Sequence, residues 1–285
     1  MKRFMGALAA LALGSVAASA ADLPVKAPPP PPVLSWTGFY VGINGGVAGM
    51  NGPSMSYVDG AINAYVPVTV DPSTSNVKAI GGFHFGYNLQ TPSNWVLGFE
   101  GDWDWTNVTS SAAPGLLCSG PPFRVQCLGS RVLTDNAFLQ TEVNWLASAR
   151  GRVGYSWNQW LLYATGGLAW ADAAYTGNLN CTGVIPTFCL GGGQFMRSSA
   201  NQVRMGGVLG GGLEFKPFQN WIFGAEYLFY RFDSEGNSTS NWFFTANGAP
   251  APFFECGVGQ TCGRFTYRSF DVQTGRLRLS YEFQP

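Results

Sequence analysis

The sequence predicts an all-β protein: an eight-stranded antiparallel transmembrane β-barrel with short periplasmic turns and four long extracellular loops. Three observations predict it. From Gly38 onward, apolar and polar residues alternate at period two, as in strands whose two faces meet unlike surroundings. The connections alternate between four or five residues and 28 to 36, short on one side and long on the other. Charged side chains collect on one face of the strands and bulky aromatics on the opposite one.

The elements follow in chain order. Lys2 and Arg3, the apolar run Phe4–Val16 and Ala18-Ser19-Ala20 read as a signal peptide over residues 1–20, cleaved between Ala20 and Ala21. Residues 21–37 form a Pro-rich periplasmic tether. Pro24 and the run Pro28–Pro32 favour polyproline II and bury no core. Residues 38–285 are the barrel, with strands at Gly38–Ala48, Val77–Leu89, Trp95–Trp105, Glu142–Tyr155, Trp160–Ala171, Gln202–Phe215, Trp221–Phe232 and Ser269–Phe283. Gln90–Asn94, Ser156–Gln159 and Lys216–Asn220 are the short turns; Gly49–Asn76, Thr106–Thr141, Asp172–Asn201 and Asp233–Arg268 are the long loops.

The faces decide what lies inside. In the second strand Phe83, Phe85, Tyr87 and Leu89 oppose Lys78, His84 and Asn88; in the third, Trp95, Leu97, Phe99, Trp103 and Trp105 oppose Glu100, Asp102 and Asp104. Of 15 charged residues in the eight strands, 13 lie on the less apolar face; the exceptions, Arg231 and Asp271, sit at loop-side ends. The fifth strand carries no charge and its phase stays open. The charge-bearing face also holds most of the glycines, so the crowded aromatic face requires lipid rather than an eight-stranded lumen. Tryptophans mark two girdles: Trp36, Trp95, Trp157, Trp160 and Trp221 at the turn end, and Trp103, Trp105, Trp145 and Trp170 at the loop end.

Composition excludes several classes of function. Formal net charge is zero and only 11% of residues are charged, which argues against nucleic-acid binding. No apolar window after the N-terminus is long enough for a helical span. A single histidine argues against histidine-based metal or nucleophile chemistry, and no cofactor is expected. His84 is expected to be a hydrogen-bonded lumen residue. Asp102 and Asp104 alone make weak cation ligands. The glycine triplets at 191–193 and 210–212 lack the helix and lysine of a phosphate loop. No catalytic set emerges.

Two sets of residues stand out for structural chemistry. Glu100, Arg150, Glu226 and Arg278 each lie five residues in from the turn end of their strands, with Arg152, Glu214, Arg276 and Glu282 close to that level. Inward acids and arginines at one depth should pair across the lumen, because an unpaired buried charge costs several kcal/mol. Such a lattice is either a packed polar core or, if its partners can swap, a gate. The six cysteines fall into local pairs, Cys118/Cys127, Cys181/Cys189 and Cys256/Cys262, all in long loops. Exported and without CxxC spacing, they are expected to be disulfide staples rather than a metal site.

The segment from Trp36 to Gly46, Trp36-Thr37-Gly38-Phe39-Tyr40-Val41-Gly42-Ile43-Asn44-Gly45-Gly46, resembles the alphaproteobacterial outer-membrane surface-antigen barrels, a porin-like family that includes immunogenic proteins of rhizobia and brucellae. Trp95–Asp102, Arg150–Tyr155, Leu162–Ala169 and Glu226-Tyr227-Leu228 are similar to its internal strands. The resemblance implies an OmpA-like eight-stranded barrel in the outer membrane of a Gram-negative bacterium, non-enzymatic, supporting envelope integrity and displaying its loops. A narrow passive channel is the alternative. Implied partners are outer-membrane lipid and lipopolysaccharide and the barrel-assembly machinery, with a cell-wall or host-surface contact for the tether and loops. The assembly signal is Leu277, Leu279, Tyr281 and Phe283, although Gln284-Pro285 follow the aromatic on which family members tend to end.

Overall fold

In the computed structural model, eight strands close into one antiparallel barrel: β1 Gly38–Asn51, β2 Val77–Gln90, β3 Trp95–Ala112, β4 Phe138–Trp157, β5 Trp160–Cys181, β6 Gln194–Phe215, β7 Trp221–Phe232 and β8 Phe270–Phe283. Each strand pairs with its sequence neighbours, and β8 pairs back onto β1. The structure describes residues 34–52, 55–59, 68–70, 74–112, 138–181, 194–233, 243–246, 249–250 and 263–283. The signal peptide with its Ala20/Ala21 cleavage site, most of the tether and Gln284-Pro285 fall outside them.

Register fixes the barrel's shape. Pairing followed once around runs Tyr40, Gly86, Glu100, Arg150, Gly167, Val208, Tyr230, Val272 and returns to β1 at Met50. The return lies ten residues along the strand from Tyr40 to Met50. Eight strands with that shear tilt by about 40°, so each residue climbs roughly 2.5 Å along the barrel axis. Trp95 and Trp105, like Trp160 and Trp170, are ten residues apart. They therefore stand about 25 Å apart in height, the thickness of an outer-membrane apolar band.

Alternation sorts side chains across this wall. Phe39, Ile43, Phe83, Phe85, Trp95, Leu97, Phe99, Trp105, Leu209 and Leu277 are exposed on the outside, while Glu100, Arg150, Glu226 and Arg278 are buried inside. The fifth strand, uncharged and of open phase in the sequence, turns Leu161, Tyr163 and Thr165 inward and Trp160, Leu162 and Leu168 outward. The tight turns use residues that tolerate left-handed backbone: Asn94 has φ 65° and Asn158 φ 52°.

The strands outrun their expected ends on the loop side. The third reaches Ala112, and the β5–β6 ladder continues to Cys181 opposite Gln194. Those extensions are rich in Ala, Ser, Asn and Thr and lack the two-faced alternation that a membrane imposes. Ladder hydrogen bonds hold them instead. Two register shifts, between Trp105 and Val108 on β3 and between Val143 and Trp145 on β4, have a further consequence. They bring Thr141 and Val143 to the lumen, so Glu142 leaves the charged face on which uninterrupted alternation places it.

The same ladder corrects one cysteine assignment. Cys181 is the last residue of β5 and not part of a loop, because the β5–β6 hydrogen bonds run eight residues past the expected strand start at Gln202, to Gln194. Its expected partner Cys189 lies outside the described residues, as do both members of the pairs Cys118/Cys127 and Cys256/Cys262. None of the three expected disulfides, Cys118–Cys127, Cys181–Cys189 and Cys256–Cys262, is therefore found among the described residues.

Above the wall, Gly263–Tyr267, Met55–Asp59 and Val68–Val70 pair as a small separate sheet. Tyr267 at its end stacks on Tyr175 of β5, ring centroids 4.0 Å apart. With Met50, Leu146, Val208, Tyr230, Phe232, Phe270 and Val272 these rings make an apolar plug in the loop-side third of the lumen. A smaller plug of Trp36, Val96, Leu161, Tyr163 and Ile222 fills the periplasmic end.

Candidate functional site

Between the two plugs lies a charged layer built from alternate residues of the strands. Its centre is a closed ring. Arg150 Nη1 donates to Glu226 Oε1 at 3.0 Å and Arg150 Nη2 donates to Glu100; Arg278 Nη1 donates to Glu226 Oε1 at 3.0 Å and Arg278 Nη2 donates to Glu100. The four residues five positions in from the turn end thus bond head to tail across the lumen. Above them, Arg276 Nη2 reaches Glu226 Oε2 at 2.5 Å and Asp102 Oδ2 at 3.2 Å, while Nη1 donates to Asp104. Asp102 also accepts from Arg150 at 2.5 Å. Below them, Arg152 Nη2 donates to Glu214 Oε2 at 2.8 Å.

Two tyrosines complete the layer. Tyr40 donates to Glu100 Oε2 at 2.7 Å and accepts from Arg152 at 2.9 Å. Tyr163 donates to Glu226 Oε1 at 2.8 Å and accepts from Arg278 at 2.8 Å, and the Arg152 guanidinium lies 3.9 Å from the centre of its ring. Lumen glycines make room for these side chains. A Cβ on Gly86 would collide with the Tyr40 hydroxyl, and one on Gly42 would sit 2.5 Å from His84 Nε2. Small residues on β1 and β2 let the neighbouring long side chains lie flat against the wall.

Charge is balanced among the described residues. Glu100, Asp102, Asp104, Glu214, Glu226 and Glu282 are buried, and so are Arg150, Arg152, Arg204, Lys216, Arg276 and Arg278, six of each sign. In a low-dielectric interior an excess of either sign would be severely penalised. Every carboxylate of the central layer is held by arginine, so Asp102 and Asp104 are committed to Arg150 and Arg276 rather than free for a cation. Among the described residues no cluster of three His, Cys, Asp or Glu could hold a metal. His84 Nε2 sits 2.7 Å from Ser280 Oγ, deep in the lumen.

The periplasmic floor is a second network, and it accounts for the motif around Trp36. The sequence places Trp36 in the turn-side girdle, but the structure turns it inward, 1% exposed. Its parity explains this, since 36, 38 and 40 continue the lumen face of β1 backward. Trp36 N donates to Gln90 Oε1 at 2.8 Å, Gln90 N to Thr37 Oγ1 at 2.9 Å, and Gln90 Nε2 to Ser156 Oγ at 2.9 Å. Lys216 Nζ donates to the Ser35 carbonyl at 2.5 Å and to Glu282 Oε1 at 2.8 Å, and it lies 5.5 Å from the Trp36 ring. Burial pushes this ammonium below the usual lysine range, against the opposing pull of Glu282. One lysine therefore ties the chain entering the first strand to the end of the last, across the seam where the barrel closes. Gly38 is required there, because a Cβ would meet the Phe283 carbonyl at 2.5 Å.

Of the residues singled out from sequence, Glu100, Arg150, Arg152, Glu214, Glu226, Arg276 and Arg278 meet in the central layer, and Glu282 joins Lys216 in the floor instead. Leu277, Tyr281 and Phe283 face outward on β8, with Tyr281 edge-on to Trp221. Arg231 and Asp271 face outward at the loop end, 4.0 Å apart. Tyr40, Tyr163, Lys216 and Trp36 are the members that sequence reasoning did not assign to the lumen. Extending the period-two face of β1 backward would have found Trp36.

The profile of the family described as outer membrane protein beta-barrel domain matches residues 7–249. The 31 kDa outer-membrane immunogenic proteins of Brucella melitensis biotype 1 and Brucella suis biovar 1 are each 32% identical to the chain over 226 residues, 76% of this chain and 82% of theirs. Among solved structures, OprG from Pseudomonas aeruginosa aligns at 14% identity with a TM-score of 0.39, covering 87% of this chain and 97% of that one. Neisserial surface protein A aligns at 13% identity with a TM-score of 0.38, covering 87% and 98%.

Proposed function

Because the chain belongs to the outer membrane protein beta-barrel family and resides in the outer membrane of a Gram-negative bacterium, we propose that it is a non-enzymatic surface barrel with a sealed lumen. It supports envelope integrity and displays disulfide-stapled loops. The observation that carries this reading is the arginine–carboxylate ring between two apolar plugs. A lumen filled in that way is a core. The alternative, a passive channel gated by the lattice, requires partner swapping. Glu226 holds three arginines at once, so opening would strip several buried bonds together, each worth about 3–5 kcal/mol when one partner is left behind.

The outward alternation of Leu277, Leu279, Tyr281 and Phe283 is the signal offered to the barrel-assembly machinery, and the outer wall meets lipid and lipopolysaccharide. A cell-wall contact for the Pro-rich tether and a host-surface contact for the loops complete the proposed set of partners. A deletion strain tests the envelope role: sensitivity to detergent and bile salts should rise and be restored by the wild-type gene. Unchanged sensitivity would remove that role.

The cysteine pairs give a separate expectation. Cys118/Cys127, Cys181/Cys189 and Cys256/Cys262 would each close a short segment beyond the membrane-embedded wall. Reduction should therefore leave the barrel folded, with its heat-dependent gel shift intact, while making the loops protease-sensitive. Loss of the gel shift on reduction alone would contradict the staple assignment.

A further inference from the structure

The lipid-facing wall is not uniformly rough. Across β4 and β5 the outward positions Gly151, Ala164 and Gly166 form a floor, with Gly151 paired directly to Gly166. Leu97 and Val153 rise on one side and Leu209, 69% exposed, on the other. They bound an open groove of about 520 Å³. Its depth in the membrane follows from register. Leu97 is two residues in from Trp95, Ala164 four from Trp160 and Gly166 six, or roughly 5–15 Å above the turn-side aromatic rim. That is the periplasmic half of the apolar band.

We infer that this groove is a binding site for one acyl chain of an inner-leaflet phospholipid. At that depth the surrounding medium is hydrocarbon, and an unfilled groove would forfeit dispersion contacts along its whole length. Its exposed side chains are apolar, and the two polar residues that also line it, Arg152 and Thr165, are buried with their polar groups spent on Glu214 and the Gly151 carbonyl. The groove therefore fits a methylene chain rather than a group that needs a hydrogen bond. Nor do the three periplasmic turns offer a free cation to a headgroup. The only cation of the three periplasmic turns, Lys216, is buried and committed to Glu282 and Ser35.

Filling the groove tests this. A Cβ on Gly151 would meet nothing closer than the Gly166 carbonyl at 4.0 Å, so Gly151→Leu should fold and occupy the groove. Gly45, equally open beside the Ile80 carbonyl at 4.0 Å on the opposite side of the barrel, gives the control Gly45→Leu. Ala164→Leu is a second filling variant should Gly151→Leu lose its heat-dependent gel shift. Processed barrel in detergent doped with dipalmitoylphosphatidylethanolamine would be measured by native mass spectrometry. Wild type and Gly45→Leu are expected to retain one lipid, the filling variant to retain it at least tenfold less, and dipalmitoylphosphatidylglycerol to behave like the ethanolamine lipid. Equal retention in all variants would overturn the site. So would retention of lipopolysaccharide in preference to phospholipid, or a wild-type dimer that the filling variant abolishes, which would assign the groove to a second copy.

Discussion

Glu226→Gln is expected to destabilise the barrel by about 3–5 kcal/mol, the range for removing one partner of a buried charge network. Glu226 accepts from Arg150, Arg276, Arg278 and Tyr163. The amide is nearly the same shape, so packing is preserved while charge and acceptor capacity are lost. Three buried guanidinium groups then share fewer carboxylates, and the lumen's six-to-six balance becomes five to six. Urea unfolding in detergent micelles, followed by the gel shift, measures the loss. Adding Arg150→Gln restores neutrality, and the double variant should cost clearly less than the sum of the two single ones. Strict additivity would mean that the ring residues act independently, contrary to the geometry.

Trp36→Ala should cost a similar amount, about 3–5 kcal/mol, through a cavity rather than a charge. The indole is buried in the periplasmic plug against Val96, Leu161, Tyr163 and Ile222. Its removal empties that plug and uncovers the Lys216–Glu282 pair that ties the seam. Trp221→Ala is the comparison, since that ring is 44% exposed on the outer wall and its loss exchanges protein surface for lipid. The same urea titration separates them. If the two variants lose equal stability, Trp36 is a girdle residue after all.

Much of this architecture can be read from the sequence because a membrane barrel writes a strict rule into every strand. Residues such as Phe99 and Glu100 must face opposite media, and that contrast survives without knowledge of partners. Where the rule relaxes, reading stops. The ends of β5 and β6 beyond Trp170 leave the apolar band, so only ladder bonds define them, and Cys181 passes from expected loop to strand end for that reason. Glu142 obeys parity until two register shifts, invisible locally, move it out of the charged face. Tyr163 sits in a stretch with no charge to set its phase; its place beside Arg278 is decided by the shear that closes the barrel. The common depth of Glu100, Arg150, Glu226 and Arg278 can be counted from the turns, but their order around the ring depends on which strands face each other. Lys216 is hidden for another reason. It lies in a turn, where a lysine ordinarily means solvent, and it is enclosed only by distant partners, Ser35 and Trp36 ahead of the first strand and Glu282 on the last.

A lumen that is a closed core carries no current. The most direct measurement is single-channel recording from the processed barrel in a planar bilayer, wild type beside Glu100→Gln, with folding verified by the gel shift. Glu100 binds Arg150, Arg152, Arg278 and Tyr40, yet the apolar plugs above and below do not depend on it. Silence in both proteins is the expected result. Discrete openings in the wild type that grow in Glu100→Gln would contradict it and make the ring a gate.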